Sequence, residues 1–143
     1  MVKFKIILFS LLVFMFLGCE KGDSNGPAKI NWDRDMCDRC VMVISDRKHA
    51  LQLKDPNTRR VYKFDDIGCM ALWFIEENIE YKESAAIWIT DAYTGEWINA
   101  REAFYTTNNI TPMAFGFSAY ESKEYIKAGE EVIAYDEVLK RIK

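Results

Sequence analysis

The chain carries a single histidine, His49, in 143 residues. A hydrolase needs a base beside its nucleophile; with one imidazole and no elbow or triad pattern, nothing supports that class. Basic charge is also short. Lys and Arg number 19 against 22 Asp and Glu, for a net charge of −3, so nucleic acid finds no electrostatic footprint. Past residue 18 no run is apolar enough to span a bilayer, which takes about 20 residues. Apolar residues nevertheless make up 50% of the chain, enough to core one domain or two tightly fused halves.

The amino end has the layout of a secretory signal. Lys3 and Lys5 form a short positive region, and Ile6 to Phe16 is apolar apart from Ser10. The run closes on Phe16-Leu17-Gly18-Cys19, which resembles the bacterial lipobox, with Phe16 where Leu is usual. The expectation is a signal peptide over 1–18, cleaved before Cys19, whose thiol then carries lipid. Several acyl chains anchor firmly where one chain binds only marginally. Residues 19–30 then hold the lipidated Cys19 and a polar tether, Glu20 to Ala28. The body, residues 31–143, is expected on the outer side of a membrane, in the periplasm or an equivalent space. With Cys19 taken by lipid, Cys37, Cys40 and Cys69 remain. An odd number of thiols is a poor disulfide scaffold.

Along the body, His49–Leu53 and Arg60–Phe64 alternate in sidedness around the turn-forming Lys54–Thr58, which predicts a β-hairpin. Asp65 or Asp66 can cap a helix from Ile67 to about Glu77, with Ile67, Met70, Ala71, Phe74 and Ile75 on one face. Ala85–Thr90 reads as a buried strand. Further on, extended pieces near 96–99 and 103–106 precede a strand at Phe115–Tyr120 and a short helix at Glu121–Ala128, ended by Gly129. A strand at Val132–Tyr135 and a helix at Asp136–Ile142 finish the chain. Strand–helix–strand thus occurs twice. The expected fold is α+β, two fused ββαβ units with halves near 31–92 and 93–143.

The chemistry is concentrated in Met36-Cys37-Asp38-Arg39-Cys40-Val41-Met42. Two thiols and two thioethers within seven residues select soft ions, above all Cu(I), and thiolates also suit Zn(II). A second soft position follows in Thr111-Pro112-Met113, where Pro112 stiffens the loop. The alternatives are blander. A bare CxxC also serves as a redox pair, but no strand precedes this one and no thioredoxin-like pattern follows. A closed zinc site wants four ligands, for which only Cys37, Cys40, Cys69 and His49 are at hand. Met42 and Met113 also suit core packing, and a buried structural thiol is the default for Cys69. His49 is expected to be exposed or hydrogen-bonded rather than a ligand.

These motifs, taken in order, resemble the NosL family of lipoproteins, described as accessory proteins of nitrous oxide reductase. The resemblance rests on Cys19, on Cys37-x-x-Cys40-x-Met42, on Val61–Asp65, and on Ile89–Thr94 followed by Trp97–Ala103. Thr111-Pro112-Met113 and Val132–Glu137 complete it. It implies two ββαβ halves similar to the organomercurial lyase fold. It also implies Cu(I) binding without catalysis, and delivery to nitrous oxide reductase together with its copper-site assembly transporter. Cys40, Met42 and Met113 fall on the family's ligand positions, with Cys37 as an added candidate. Val41 and Ala114 stand where the family has Gly, so both loops lose backbone freedom. Phe115 stands near the place of a frequent family histidine.

A carrier also needs ligands that let go. Two or three donors open to the surface permit ligand exchange, whereas a closed four-thiolate cage does not. The expected grip is Cys40 with Met113, completed by Met42 or Cys37. The competing reading is a copper or zinc storage or sensing lipoprotein without a reductase partner, or a CxxC thiol-redox protein.

Overall fold

The computed structural model describes residues 25–143. The expected signal peptide over 1–18 and the expected lipidation site, Cys19, lie outside the described residues. The first half begins with β1 (Leu51–Lys54) and β2 (Val61–Phe64), antiparallel with Leu51 opposite Phe64. Helix α1 (Ile67–Glu76) follows, and β3 (Ala86–Thr90) returns along the other edge of β1, with Leu51 opposite Ile89. The order β2-β1-β3 is extended by β4 (Trp97–Asn99) on β3.

The β1–β2 and β3–β4 loops of this sheet use one device. Asp55 accepts the backbone N–H groups of Asn57 and Thr58, and Asp91 accepts those of Tyr93 and Thr94. In each loop the residue after the Thr, Arg59 or Gly95, has positive φ and closes onto the Asp carbonyl. Asx-type turns of this sort set hairpin register from a single side chain.

The second half repeats the pattern in smaller form. β5 (Phe104–Thr106) is central between β6 (Ser118–Tyr120) and β7 (Val132–Ile133), all antiparallel. The order β6-β5-β7 matches β2-β1-β3, which is the duplication read from the sequence. Three expected elements are shorter. The strand expected at Val132–Tyr135 ends at Ile133, because Tyr135 already opens the last helix. The helix at 121–128 is a single 3-10 turn, Lys123–Tyr125, capped by Ser122. Its residues are almost all exposed or half-exposed, so no buried face supports propagation beyond the nucleus. The strand at 115–120 begins only at Ser118, because Gly116 takes φ 84° and its carbonyl closes onto the N–H of Asn109. Helix α2 (Tyr135–Arg141) ends the fold.

Helix α1 forms where expected, and its cap is resolved. Asp66, extended at φ −151° and ψ 142°, accepts the N–H of Gly68. Ile67, Met70, Ala71 and Phe74 are buried, one face at helical spacing. Ile75, expected on that face, is 64% exposed. Trp73 is buried instead, its ring against Tyr62 and Phe64 of β2. The core joins Leu51, Leu53, Phe64, Ile87 and Ile89 from the sheet to this helix. Burying such side chains stabilises by about 1.5–3 kcal/mol each. On the opposite side of β1, Gln52 is buried and exchanges hydrogen bonds with the backbone of Ala28 at 2.8 Å both ways. The chain is thus docked from Ala28 onward.

Candidate metal site

Residues 31–44 form an irregular hairpin rather than a regular strand pair. Met36 bridges Val43, and the Cys37 N–H donates to the Met42 carbonyl at 2.8 Å. At its tip Val41 donates to the Cys37 carbonyl and takes φ 62°. The knuckle is pinned on two sides. Asp38 and Lys63 of β2 exchange backbone and carboxylate bonds at 2.8 and 2.6 Å. Arg39 grips Glu76 at the end of α1 with two bonds, 2.9 and 2.7 Å. Cys37 and Cys40 are therefore held between β2 and α1.

Cys69 enters from the first turn of α1 and Asp65 from just before it. One donor atom from each of Cys37, Cys40, Cys69 and Asp65 lies within 4.8 Å of all the others. Cys37, Cys69 and Asp65 are buried, and Cys40 is partly exposed. Its thiol points at the Asp65 carboxylate, 3.5 and 3.6 Å away. All three thiols are free of disulfides.

Hydrogen bonds divide the charge unequally among them. The Cys69 thiol donates to Cys37 and holds it down to about 6; burial opposes, and the backbone N–H groups of Cys40, Arg39 and Asp65 assist. Donation and burial push Cys69 far up in return. Burial is the main cause that lifts Cys40 to about 11. Ionisation is thus favoured at Cys37 over Cys69 and Cys40. The Arg39 guanidinium, held by Glu76, supplies positive charge near Cys69. Thiolates and thioethers at this spacing fit soft ions.

Of the residues expected from sequence, Cys37 and Cys40 are brought together here. Met42 sits on the outer edge of the knuckle, 56% exposed, with Met36 close to it in chain and also exposed. Met113 is half-buried against the core. Its loop is fixed by Asp66, which accepts the Thr111 hydroxyl at 2.6 Å and the Met113 N–H at 3.1 Å. Gly116 donates back to Thr111 at 3.0 Å. Ala114 takes φ 60°, so both positions where this chain lacks the expected glycine are left-handed. Phe115 lies flat against Gly68, where a Cβ would strike its ring.

Cys69 and Asp65 are the residues that sequence reasoning left aside. Cys69 is buried, as the default held, but it is buried inside the cluster. The available signal was the pair Asp65 and Cys69, one helical turn apart at the start of an amphipathic helix. His49 is not part of this cluster. Its ring bonds Asp46 at 3.0 Å and Ser118 at 2.9 Å, an Asp–His–Ser chain linking the loop before β1 to β6. Ser118 is only 3% exposed. A nucleophile must meet its substrate, so this chain of bonds acts as a clamp between the halves.

Fold and site together define an α+β domain with a sulfur-rich metal-binding cluster. Residues 27–136 match the NosL family model, and the chain belongs to the NosL family. Among solved structures it is similar to the copper chaperone NosL from Shewanella denitrificans, with TM-score 0.64 and 16% identity over 78% of this chain and 94% of that one. At that identity the likeness is one of fold. No curated protein matches the sequence significantly.

Proposed function

We propose that the protein is a lipid-anchored Cu(I) carrier, held outside the cytoplasm through Cys19, that supplies copper for the assembly of nitrous oxide reductase. The observation that carries this reading is the position of Cys40. It is the partly exposed member of a buried sulfur cluster, two residues from the exposed thioether of Met42. The adjacent carboxylates Asp65 and Asp66 link it to the backbone of Met113. A soft ion reaches Cys40 from solvent and leaves the same way, by exchange with an incoming ligand. Cys37 and Cys69 behind it supply further sulfur, and Met113 and Met42 supply neutral donors that release readily. This is the donor set of a carrier for a soft monovalent cation.

The test is titration of the mature protein with Cu(I) under reducing conditions against a competing chelator. Cys40→Ser is expected to weaken binding by more than about 100-fold, beyond the usual loss from an outer-sphere change. Unchanged affinity would remove Cys40 from the site. Delivery is read by adding the loaded protein and the assembly transporter to copper-free reductase and following recovery of its activity.

A further inference from the structure

The cluster holds more thiol than a labile carrier needs, and its third sulfur is the least accessible one. Cys40 faces the Asp65 carboxylate and the surface, while Cys37 and Cys69 are buried with their sulfurs within 4.8 Å of each other. We propose that the protein reduces Cu(II) to Cu(I), with Cys37 and Cys69 as the electron source and Cys40 as the ligand that keeps the product.

The step balances without any other reactant. Cys37 and Cys69 give up two electrons, release to solvent the protons their sulfurs still carry, and form one S–S bond. Two Cu(II) ions, the oxidant, each gain one electron. Donor atoms within 4.8 Å of one another leave a short closure to the disulfide length of about 2.05 Å. A cupric ion arriving at Cys40 lies against the same cluster, so no long electron path is needed. Three thiols are the minimum for this division of labour: two are consumed, and one remains with the methionines to hold Cu(I). A two-thiol CxxC would lose its metal ligands in the act of reducing the metal. The space outside the cytoplasm is where disulfides persist and thiols stay oxidised once spent, so each cluster reduces once until a dithiol donor resets it.

The inference rests on the reading of Cys40 as a copper ligand, but its failure is separable. Cu(I) affinity under reducing conditions tests the carrier alone. For reduction, the full chain carrying Cys19→Ala, which leaves three thiols, is purified in detergent, reduced, and freed of reductant under argon. Cu(II) is added, and three readouts are followed: loss of the cupric paramagnetic signal, Cu(I) captured by a chromogenic chelator, and remaining thiols. The expected result is two Cu(II) reduced per chain, thiols falling from three to one, and a Cys37–Cys69 crosslinked peptide. Cys37→Ala and Cys69→Ala are each expected to slow reduction at least about 10-fold, since a lone buried thiol lacks its partner. Cys40→Ala is expected to slow Cu(II) entry and to lose the Cu(I) formed to solvent, while the crosslink that does form remains Cys37–Cys69. Cys69→Ser is the second variant, with an unchanged thermal melt as proof of folding. Three surviving thiols after excess Cu(II), an equal rate from the urea-unfolded chain, or a Cys37–Cys40 crosslink would each overturn the proposal.

Discussion

The buried carboxylate of Asp66 accepts the backbone N–H of Met113 at 3.1 Å across 47 residues of chain. The same side chain caps the helix that carries Cys69. One residue thus sets two parts of the site, and its chain neighbour, Asp65, faces the thiol of Cys40. Positions within the site are coupled through this pair rather than through the sulfur atoms alone.

Asp66→Asn keeps the shape of the side chain but removes the charge that takes two hydrogen bonds from the Met113 loop. Bonds to a charged group are worth about 1.5–3 kcal/mol, so a loss of about 2 kcal/mol is expected in urea unfolding. Cu(I) affinity should fall about 10–100-fold, as for other supporting groups of a metal site. Binding should persist through Cys40. Full loss of binding would make Asp66 a ligand instead of a support.

Gly68→Ala sets two effects against each other. In an open helix the change gains about 1 kcal/mol from propensity. Here the new Cβ would enter the ring of Phe115, and overpacking costs about 1–3 kcal/mol. Net destabilisation is expected, with weaker Cu(I) binding because the Met113 loop must shift. A raised melting temperature would show that the loop gives way freely.

Val41 and Ala114 hold left-handed backbone at φ 62° and 60°. A residue with a Cβ pays about 1–2 kcal/mol there, and Val41 is 63% exposed with little packing to lose. Val41→Gly and Ala114→Gly are each expected to stabilise the metal-free protein by about 1 kcal/mol. Differential scanning calorimetry of each variant reads this directly. A drop in stability would mean that loop entropy outweighs the relieved strain.

Met113→Leu changes volume little, which cores tolerate at less than about 1.5 kcal/mol. Its sulfur is lost, however. The expected outcome is a near-normal unfolding curve with clearly weaker Cu(I) retention, and sulfur coordination reduced by one in X-ray absorption. An unchanged absorption spectrum would assign Met113 to packing.

Cys37 is held near 6 chiefly by the Cys69 thiol. A group lowered in the fold ionises early, so thiolate absorbance of the metal-free, reduced protein should rise first around pH 6. Cys40 should follow only near 11. Cys69→Ala removes the main donor, and the first step should move to higher pH. A first step that stays near 6 in that variant would place the stabilisation on the backbone amides instead.

Much of this was legible in the chain. The first hairpin, helix α1 and strand β3 follow from strict alternation and helical spacing over long stretches, since one buried face dominates each. The reduced helix at Lys123–Tyr125 was not legible, because a polar run such as ESKEYIKA holds its form only where a partner surface exists. The CxxC-x-Met knuckle was visible because its donors are close in sequence. Cys69 and Asp65 were not, because nothing local shows which face of a helix turn meets a hairpin 30 residues upstream.

The sequence by itself therefore determined the kind of chemistry: soft donors gathered in one CxxC-x-Met run of an α+β fold. Tertiary structure alone decided which sulfurs share a site. Arg39 and Lys63 pin the knuckle onto β2 and α1, and that packing carries Cys37 to Cys69. Spacing along a chain limits only nearby ligands; bringing distant thiols within 4.8 Å requires the buried core beneath them, whose burial offsets the entropy of ordering them.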